Sequence, residues 1–241
     1  MAEKQINEAF VLAAGLGTRM RPITDTIPKP LVKVAGKTLL DHALDALAQS
    51  AIETCVVNVH YLADMIEDHL KERQTPRIII SDERAQLRNS GGGVKFGAHH
   101  LSDAAFILLN ADSFWKDRGR NNLDALIGAW RPDEMDMLML LSRHDDAIGF
   151  DGAGDFFMDD DRRLRRRADA PTAPYAYAGA LIAKPDLYRS VEEEAFNMNI
   201  LFDEAIAKGR LFGVVLDGLW LHVGTPSAIE DAETAITQVG L

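Results

Sequence analysis

Ala9-Phe10-Val11-Leu12-Ala13-Ala14-Gly15-Leu16-Gly17-Thr18-Arg19-Met20 begins as an unbroken apolar run and ends in two glycines and an arginine. The run Ala9–Ala14 is too short for a helix and is closed by turn residues, so it predicts a buried strand. Glycines directly after a strand let the backbone turn sharply and approach a ligand, while free amides and the Arg19 guanidinium offer donors to phosphate oxygens. The stretch therefore predicts a nucleotide loop built from Ala13, Ala14, Gly15, Gly17, Thr18 and Arg19. Two familiar loops do not fit. A dinucleotide fingerprint needs a small residue where Met20 stands, and a P-loop needs a Gly-Lys-Ser/Thr end.

Working outward, the same kind of short apolar run recurs at Cys55–Val59, Arg77–Ile80, Ala105–Leu109 and Met137–Leu141, each predicting a strand. Helical patterns lie between them. Leu39, Leu40, Ala43, Leu44 and Leu47 fall on one face with Thr38 as N-cap; a second helix is predicted over Leu62–Leu70, and a third over Leu123–Trp130 with Asn122 as cap and Pro132 beyond its end. Strands alternating with helices imply right-handed βαβ units and an α/β, Rossmann-like, mostly parallel central sheet flanked by helices. Ligands in such sheets bind beyond the carboxyl ends of the strands.

After Asp146 the pattern changes. Gly154–Met158 and Leu164–Arg167 flank Asp159, Asp160 and Asp161, predicting a small hairpin insertion in which Arg162, Arg163, Arg165, Arg166 and Arg167 pair with the acidic turn. A strand at Ala176–Ala183, a helix at Asn199–Lys208 ended by Gly209, a strand at Phe212–Leu216 and a last helix with Thr225 as N-cap and Pro226 at its first position complete the pattern. Neither an internal repeat nor a linker interrupts it, so residues 1–241 are read as a single domain.

The formal net charge of -11 argues against nucleic acid and anionic lipid as partners, because both are bound through neutralisation of phosphates by Lys and Arg. Any phosphate site must be local. The lone cysteine, Cys55, leaves no internal disulfide, and the polar start from Met1 to Glu8 lacks the apolar core of a signal peptide. No apolar run is long enough to cross a bilayer. A cytoplasmic protein is expected, with no membrane partner, as a monomer or small homo-oligomer. His99 and His100 are expected in solvent, Met135, Met137 and Met139 on one strand face, and Cys55 in the core.

Pro28, Lys29 and Pro30 follow the first loop, and two prolines around a lysine make a stiff support that aims its ammonium group. Here the chain resembles the sugar-1-phosphate nucleotidyltransferase superfamily, whose signature reads Gly-x-Gly-Thr-Arg-Met/Leu-x-Pro and then Pro-Lys-Pro-Leu. Gly15, Gly17, Thr18, Arg19, Met20, Pro22, Pro28, Lys29, Pro30 and Leu31 match it in order. Ser90, Gly91, Gly92 and Gly93 resemble the base-binding segment of that family. Asn110-Ala111-Asp112 resembles its Asn-Gly-Asp, with alanine in place of glycine, and Trp220 to Thr225 resembles its Trp-x-Asp-Val-Gly-Thr, with His222 in place of the aspartate. Within the superfamily the nearest likeness is to the N-acetylmuramate 1-phosphate uridylyltransferases of bacterial cell-wall recycling.

The resemblance implies the nucleotide-diphospho-sugar transferase fold, with a nucleotide-binding half at about 8–113 and a sugar-binding half at about 114–225. It implies a nucleoside triphosphate and a sugar 1-phosphate as substrates, transfer of the nucleoside monophosphate, and release of pyrophosphate. It makes Arg19 and Lys29 catalytic, places Ser90, Gly91 and Gly92 at the nucleotide, and puts Mg²⁺ on Asp112. His222 stands at the second ligand position, where imidazole suits Mn²⁺ or Co²⁺ better than Mg²⁺. Asn110, Tyr177, Gly179, Asn197 and Asn199 are expected at the sugar. UTP with N-acetylmuramate 1-phosphate is the expected pair; guanylyl transfer to mannose 1-phosphate and thymidylyl or uridylyl transfer to glucose 1-phosphate are the alternatives. A sugar-nucleotide sensor without turnover is the rival of another class, motivated by His222. A glycosyltransferase ranks last, since the metal motif Asp-x-Asp is missing near Asp112.

Overall fold

A computed structural model describes residues 6–239, so residues 1–5 of the polar N-terminal stretch lie outside the description, as do residues 240 and 241. The first strand, β1 (Glu8–Leu12), has Ala9, Phe10 and Val11 fully buried, as its apolar run requires. After it, β2 (Lys33–Val34) and β3 (Lys37–Thr38) form a short ribbon that leads into α1 (Leu39–Gln49). Thr38 caps this helix as expected, accepting from the Asp41 amide at 3.0 Å, and the predicted face of Leu39, Leu40, Ala43, Leu44 and Leu47 is buried. Strand β4 (Thr54–Val59) follows, with Cys55 buried within it, then α2 (Ala63–Leu70) and β5 (Arg77–Asp82).

The triple glycine, which resembles a base-binding segment, lies within the helix α3 (Asn89–Gly97). Glycine is a poor helix former, and tertiary packing overrides the propensity here. After α3 come β6 (Phe106–Asn110), β7 (Ser113–Asp117) and α4 (Asn122–Ala129). The cap of α4 is Asn121, one residue before the expected Asn122: its side chain accepts from the Asp124 amide at 3.0 Å. Asn122 is fully buried and ties Asp117 to the backbone of Asp217 instead. Strand β8 (Met137–Arg143) then leads through β9 (Ala147–Ile148) to the expected hairpin, β10 (Phe156–Met158) with β11 (Leu164–Arg166). Its charge pairing is partial. Arg163 meets Asp161 at 2.7 Å, while Arg166 reaches out to Asp203 and Arg165 stacks on Phe157.

The long strand β12 (Tyr175–Ala183), α5 (Pro185–Arg189), α6 (Asn199–Ala207), β13 (Leu211–Val215), β14 (Gly218–His222) and α7 (Ser227–Val239) complete the chain. Gly209 ends α6 with φ +64, the left-handed conformation that glycine adopts without strain. The last helix begins one residue later than expected, with the Thr225 hydroxyl 3.1 Å from that of Ser227.

Among the described residues the main sheet has nine strands, ordered β11-β10-β12-β6-β1-β4-β5, with β8 joining β12 to β13. Pairing is parallel between β1 and β4, β1 and β6, β4 and β5, and β8 and β13. The antiparallel pairs are β12 with β6, β8 and β10, and β10 with β11. One apolar cluster on a face of the sheet includes Ala9, Leu44, Ile107 and Val214; a second includes Phe10, Leu108, Leu181 and Phe202. A separate ribbon of β7, β14 and β9 stands beside the sheet and carries Ser113 opposite His222.

Candidate active site

The carboxyl ends of β1, β4 and β6 converge on a cavity of about 240 Å³ lined by Ala13, Ala14, Gly15, Lys29, Asn58, Asn110 and Asp112, among others. This is where a parallel sheet is expected to hold its ligand. A side chain at Gly15 would meet no protein atom within 4 Å, so protein packing does not require its glycine; the space stays open. Gly17 is different. It holds φ +64, and a Cβ there would come within 3.0 Å of both Lys29 Cβ and Thr24 Cγ2. The Thr24 hydroxyl donates to the Gly17 carbonyl at 2.8 Å and pins the turn. Thr18–Met20 form one short helical turn with Met20 fully buried as its anchor, which leaves Thr18 and Arg19 exposed.

Pro28 is extended, and Lys29–Leu31 make a single tight turn, so the two prolines hold the lysine as predicted. Its side chain is 12% exposed, and Nζ stands 3.0 Å from Asp112 Oδ2. Asp112 is one residue before β7, and its side chain remains 30% exposed. Burial by itself raises the Asp112 carboxyl, but the charges of Lys29, His222 and Arg19 outweigh it and hold the group below the ordinary carboxylate range. His222 closes β14. Its backbone faces Ser113, the next residue's amide donates to the Asp112 carbonyl at 2.9 Å, and its ring lies against Trp220 and Phe150. Burial pushes its imidazole below the usual value, Lys29 and Arg19 push the same way, and Asp112 opposes them. A Cβ at Gly224 would stand 2.9 Å from His222 Nε2 and 3.5 Å from Arg19 Nη1, so the arginine and the histidine approach one another over that glycine.

The donor set decides whether a divalent ion is suited to this place. Asp112 spends one oxygen on Lys29 and leaves Oδ1 without a hydrogen bond among the described residues. A hard divalent ion needs no more than one or two protein carboxylates when substrate phosphates and water fill its remaining positions. No group of three or more His, Cys, Asp or Glu side chains that could hold a metal by themselves occurs among the described residues. One carboxylate with an adjacent imidazole therefore fits an ion shared with a polyphosphate and does not fit a closed protein site.

The remaining expected residues divide. Ser90 lines the cavity, and its hydroxyl accepts from the Met198 amide at 3.1 Å. Gly91 and Gly92 do not line it: their amides donate to the Phe196 carbonyl, and Cβ atoms there would collide with the Phe196 ring and the Glu194 carbonyl. Their small size serves close packing of the segment before α6. Asn110 lines the cavity, and Gly179 lies behind it with φ +81, where a Cβ would come within 2.4 Å of Ser113 Oγ. The Tyr177 hydroxyl is buried with no partner among the described residues, and burial pushes it well above the usual tyrosine range. Asn197 and Asn199 are engaged elsewhere. Asn197 accepts from the Asn199 amide at 3.0 Å, and Asn199 accepts from Arg166 at 3.1 Å. Leu87, Asn89 and Asn58 also line the cavity and were not foreseen; Asn58 Oδ1 accepts from the Ala13 amide at 2.7 Å. A polar residue inside the buried run Cys55–Val59 was the available signal.

Comparison with known proteins shows the family through a family model and a close relative, and the fold through a solved structure. A family model described as nucleotidyl transferase matches residues 8–150. The chain is similar to the N-acetylmuramate alpha-1-phosphate uridylyltransferase of Caulobacter vibrioides, with 42% identity over 234 residues, covering 95% of this chain and 97% of that protein. It is also similar to the protein of the same name from Neisseria meningitidis, at 28% identity over 94% of this chain and 96% of that one. The solved structure of the inositol-1-phosphate CTP transferase from T. maritima matches with a TM-score of 0.77 at 20% identity, covering 97% of this chain and 98% of that one, a likeness of fold. With a glycine-turned loop, a proline-braced lysine and an aspartate gathered at the carboxyl edge of a parallel sheet, the chain belongs to the nucleotidyl transferase family.

Proposed function

We propose that this protein transfers uridylate from UTP to N-acetylmuramate 1-phosphate and releases pyrophosphate. The observation that carries the reading is the Lys29 ammonium held 3.0 Å from Asp112 at the mouth of the cavity, with Arg19 close enough to act on the same carboxylate. The choice of base and sugar is supported by similarity to the Caulobacter vibrioides protein across almost the whole of both chains.

The phosphate oxygen of a sugar 1-phosphate is already anionic at neutral pH, so in-line attack on the α-phosphorus needs no general base. What it needs is two crowded anions held in line. Lys29 is placed to bind the α-phosphate and the incoming phosphate together, and Asp112 keeps its ammonium aimed. Arg19 and the amides of residues 15–19 are placed to hold the β- and γ-phosphates, where the departing pyrophosphate gathers charge. A divalent ion, Mg²⁺ in this reading with Mn²⁺ or Co²⁺ as the alternatives, would be held by Asp112 beside His222 and would neutralise charge on the transferring oxygens. Asn110, with Gly179 behind it, is assigned to the sugar side, as is Tyr177.

Pyrophosphate release, measured for UTP, dTTP, GTP and CTP against the 1-phosphates of N-acetylmuramate, glucose, mannose and N-acetylglucosamine, tests the reading. UTP with N-acetylmuramate 1-phosphate is expected to give the highest kcat/KM. A preference for GTP with mannose 1-phosphate overturns the assignment of substrates. No release from any pair, by protein that still binds nucleotide, favours the sensor reading motivated by His222.

A further inference from the structure

Glu83 is a carboxylate in the wrong place for a carboxylate. It follows β5 directly, is 1% exposed, and forms no salt bridge among the described residues. Its Oε1 accepts from Asn58 Nδ2 at 2.8 Å, while Oε2 is buried with no partner among the described residues. A half-satisfied buried carboxylate costs stability, and an apolar side chain of similar shape would ordinarily be preferred there. Burial accordingly pushes the Glu83 carboxyl up, against the hydrogen bond from Asn58 and the nearby charge of Arg88.

The arrangement has a use at its other end. Asn58 is 2% exposed and lines the cavity, and its Oδ1 accepts from the Ala13 amide at 2.7 Å. An asparagine amide can be turned over, exchanging its donor and its acceptor. Ionised, Glu83 offers only acceptors, and the Ala13 amide is only a donor, so both ends select the same orientation. With Glu83 absent, half of that selection is lost, and a turned-over amide would put two donors face to face at Ala13. The packing is built around the pair. A Cβ at Gly93 would stand 2.8 Å from both Asn58 Nδ2 and Glu83 Oε1, so the third glycine of the triple leaves room for it. The Glu83 backbone is clamped as well, its amide donating to the Val59 carbonyl at 2.8 Å and its carbonyl meeting His60 Nδ1 at 2.7 Å.

We propose that Glu83 is a positioning residue for the nucleotide: through Asn58 it fixes the loop at Ala13 and Ala14, which lines the cavity. The proposal rests on the nucleotidyl-transfer reading for which substrate that loop receives.

Three variants test it, each with NTP and sugar 1-phosphate titrated separately, and with NTP binding measured by calorimetry in the absence of the sugar phosphate. Glu83→Leu removes the acceptor and should raise KM and Kd for NTP by about tenfold, the effect of one buried hydrogen bond, while KM for the sugar phosphate and kcat stay within about threefold. Glu83→Gln retains an acceptor for Asn58 Nδ2 and should restore NTP binding to near wild type. Gly93→Ala presses on the pair from the helix side and should reproduce the nucleotide-selective loss, which keeps the test open should Glu83→Leu fail to fold. Unchanged NTP affinity in a folded Glu83→Leu or Gly93→Ala protein overturns the proposal. Equal losses for both substrates together with kcat also overturn it, because they mark a general structural role. Wild-type protein that binds NTP but turns over no pair defeats the transfer reading alone, since the calorimetric ranking still decides Glu83; wild-type protein that binds no NTP defeats both.

Discussion

At the scale of single residues the site depends on cations placed in an acidic molecule. Lys29 is braced by two prolines and aimed by Asp112, so little reorganisation remains when phosphates arrive. Lys29→Ala is therefore expected to reduce turnover by about 10²- to 10³-fold, the scale for one preorganised electrostatic group, with the melting temperature close to that of wild type. Turnover near wild type in a folded Lys29→Ala protein would show that the lysine is only a partner for Asp112. His222 raises a different question, because an imidazole stands where the family pattern has a carboxylate. Burial and two nearby cations favour its neutral form, which has a lone pair to offer. If it ligates, His222→Asp should shift the preferred ion from Mn²⁺ or Co²⁺ towards Mg²⁺, and His222→Ala should lower the rate with every ion. Rates of both variants titrated with each ion decide the point; unchanged rates and preference make His222 a packing residue of the Trp220 and Phe150 cluster.

At the scale of elements, α3 and the segment before α6 form one unit. The amides of Gly91 and Gly92 donate to the Phe196 carbonyl at 2.9 and 3.1 Å, Met198 donates to Ser90, and Lys95 reaches the carbonyl of Val191 at 2.8 Å. A methyl group at Gly91 would overlap the Phe196 ring. Gly91→Ala should thus cost about 1–3 kcal/mol by overpacking, although alanine is the better helix former. Phe196→Ala opens that space, so the double variant should lose less stability than the two single losses added together. Additive losses in urea unfolding would show that the methyl group is accommodated in some other way. This unit also marks the limit of the sequence reading. The run Ala9–Ala14 and its glycines led to the correct strand and loop because short apolar runs and turn residues act locally. Ser90–Gly93 reads as a base-binding segment, and the packing reason for Gly91, Phe196, lies more than a hundred positions away. Asn197 and Asn199, expected at the sugar, bond to one another, and Arg166, from a hairpin read as self-paired, takes Asn199. β7 and β14 were not foreseen because each is stabilised mainly by pairing with the other across the chain.

At the scale of the whole molecule, the two halves inferred from the sequence share one sheet. Strand β6 pairs with β1 of the nucleotide half along one edge, Ala9 opposite Ile107, and with β12 of the sugar half along the other, Ala180 opposite Leu109. The apolar cluster that contains Ala9 and Leu44 continues without a break to Ile182 and Val214. A boundary that cuts through paired strands and a continuous core leaves neither half with a core of its own, which is the requirement for separate domains. The whole chain should then unfold in one transition. The sequence supplies a convenient means of testing this, because its three tryptophans, Trp115, Trp130 and Trp220, all fall in the sugar half. Tryptophan fluorescence therefore follows that half alone, whereas far-ultraviolet circular dichroism follows helices and strands of both. In urea the two signals should give the same midpoint and the same slope, as coincident probes do in a two-state transition. A fluorescence midpoint clearly displaced from the dichroism midpoint, or a dichroism curve with two steps, would show that the halves are separate cooperative units and that the strand pairs Ala9–Ile107 and Ala180–Leu109 do not couple them.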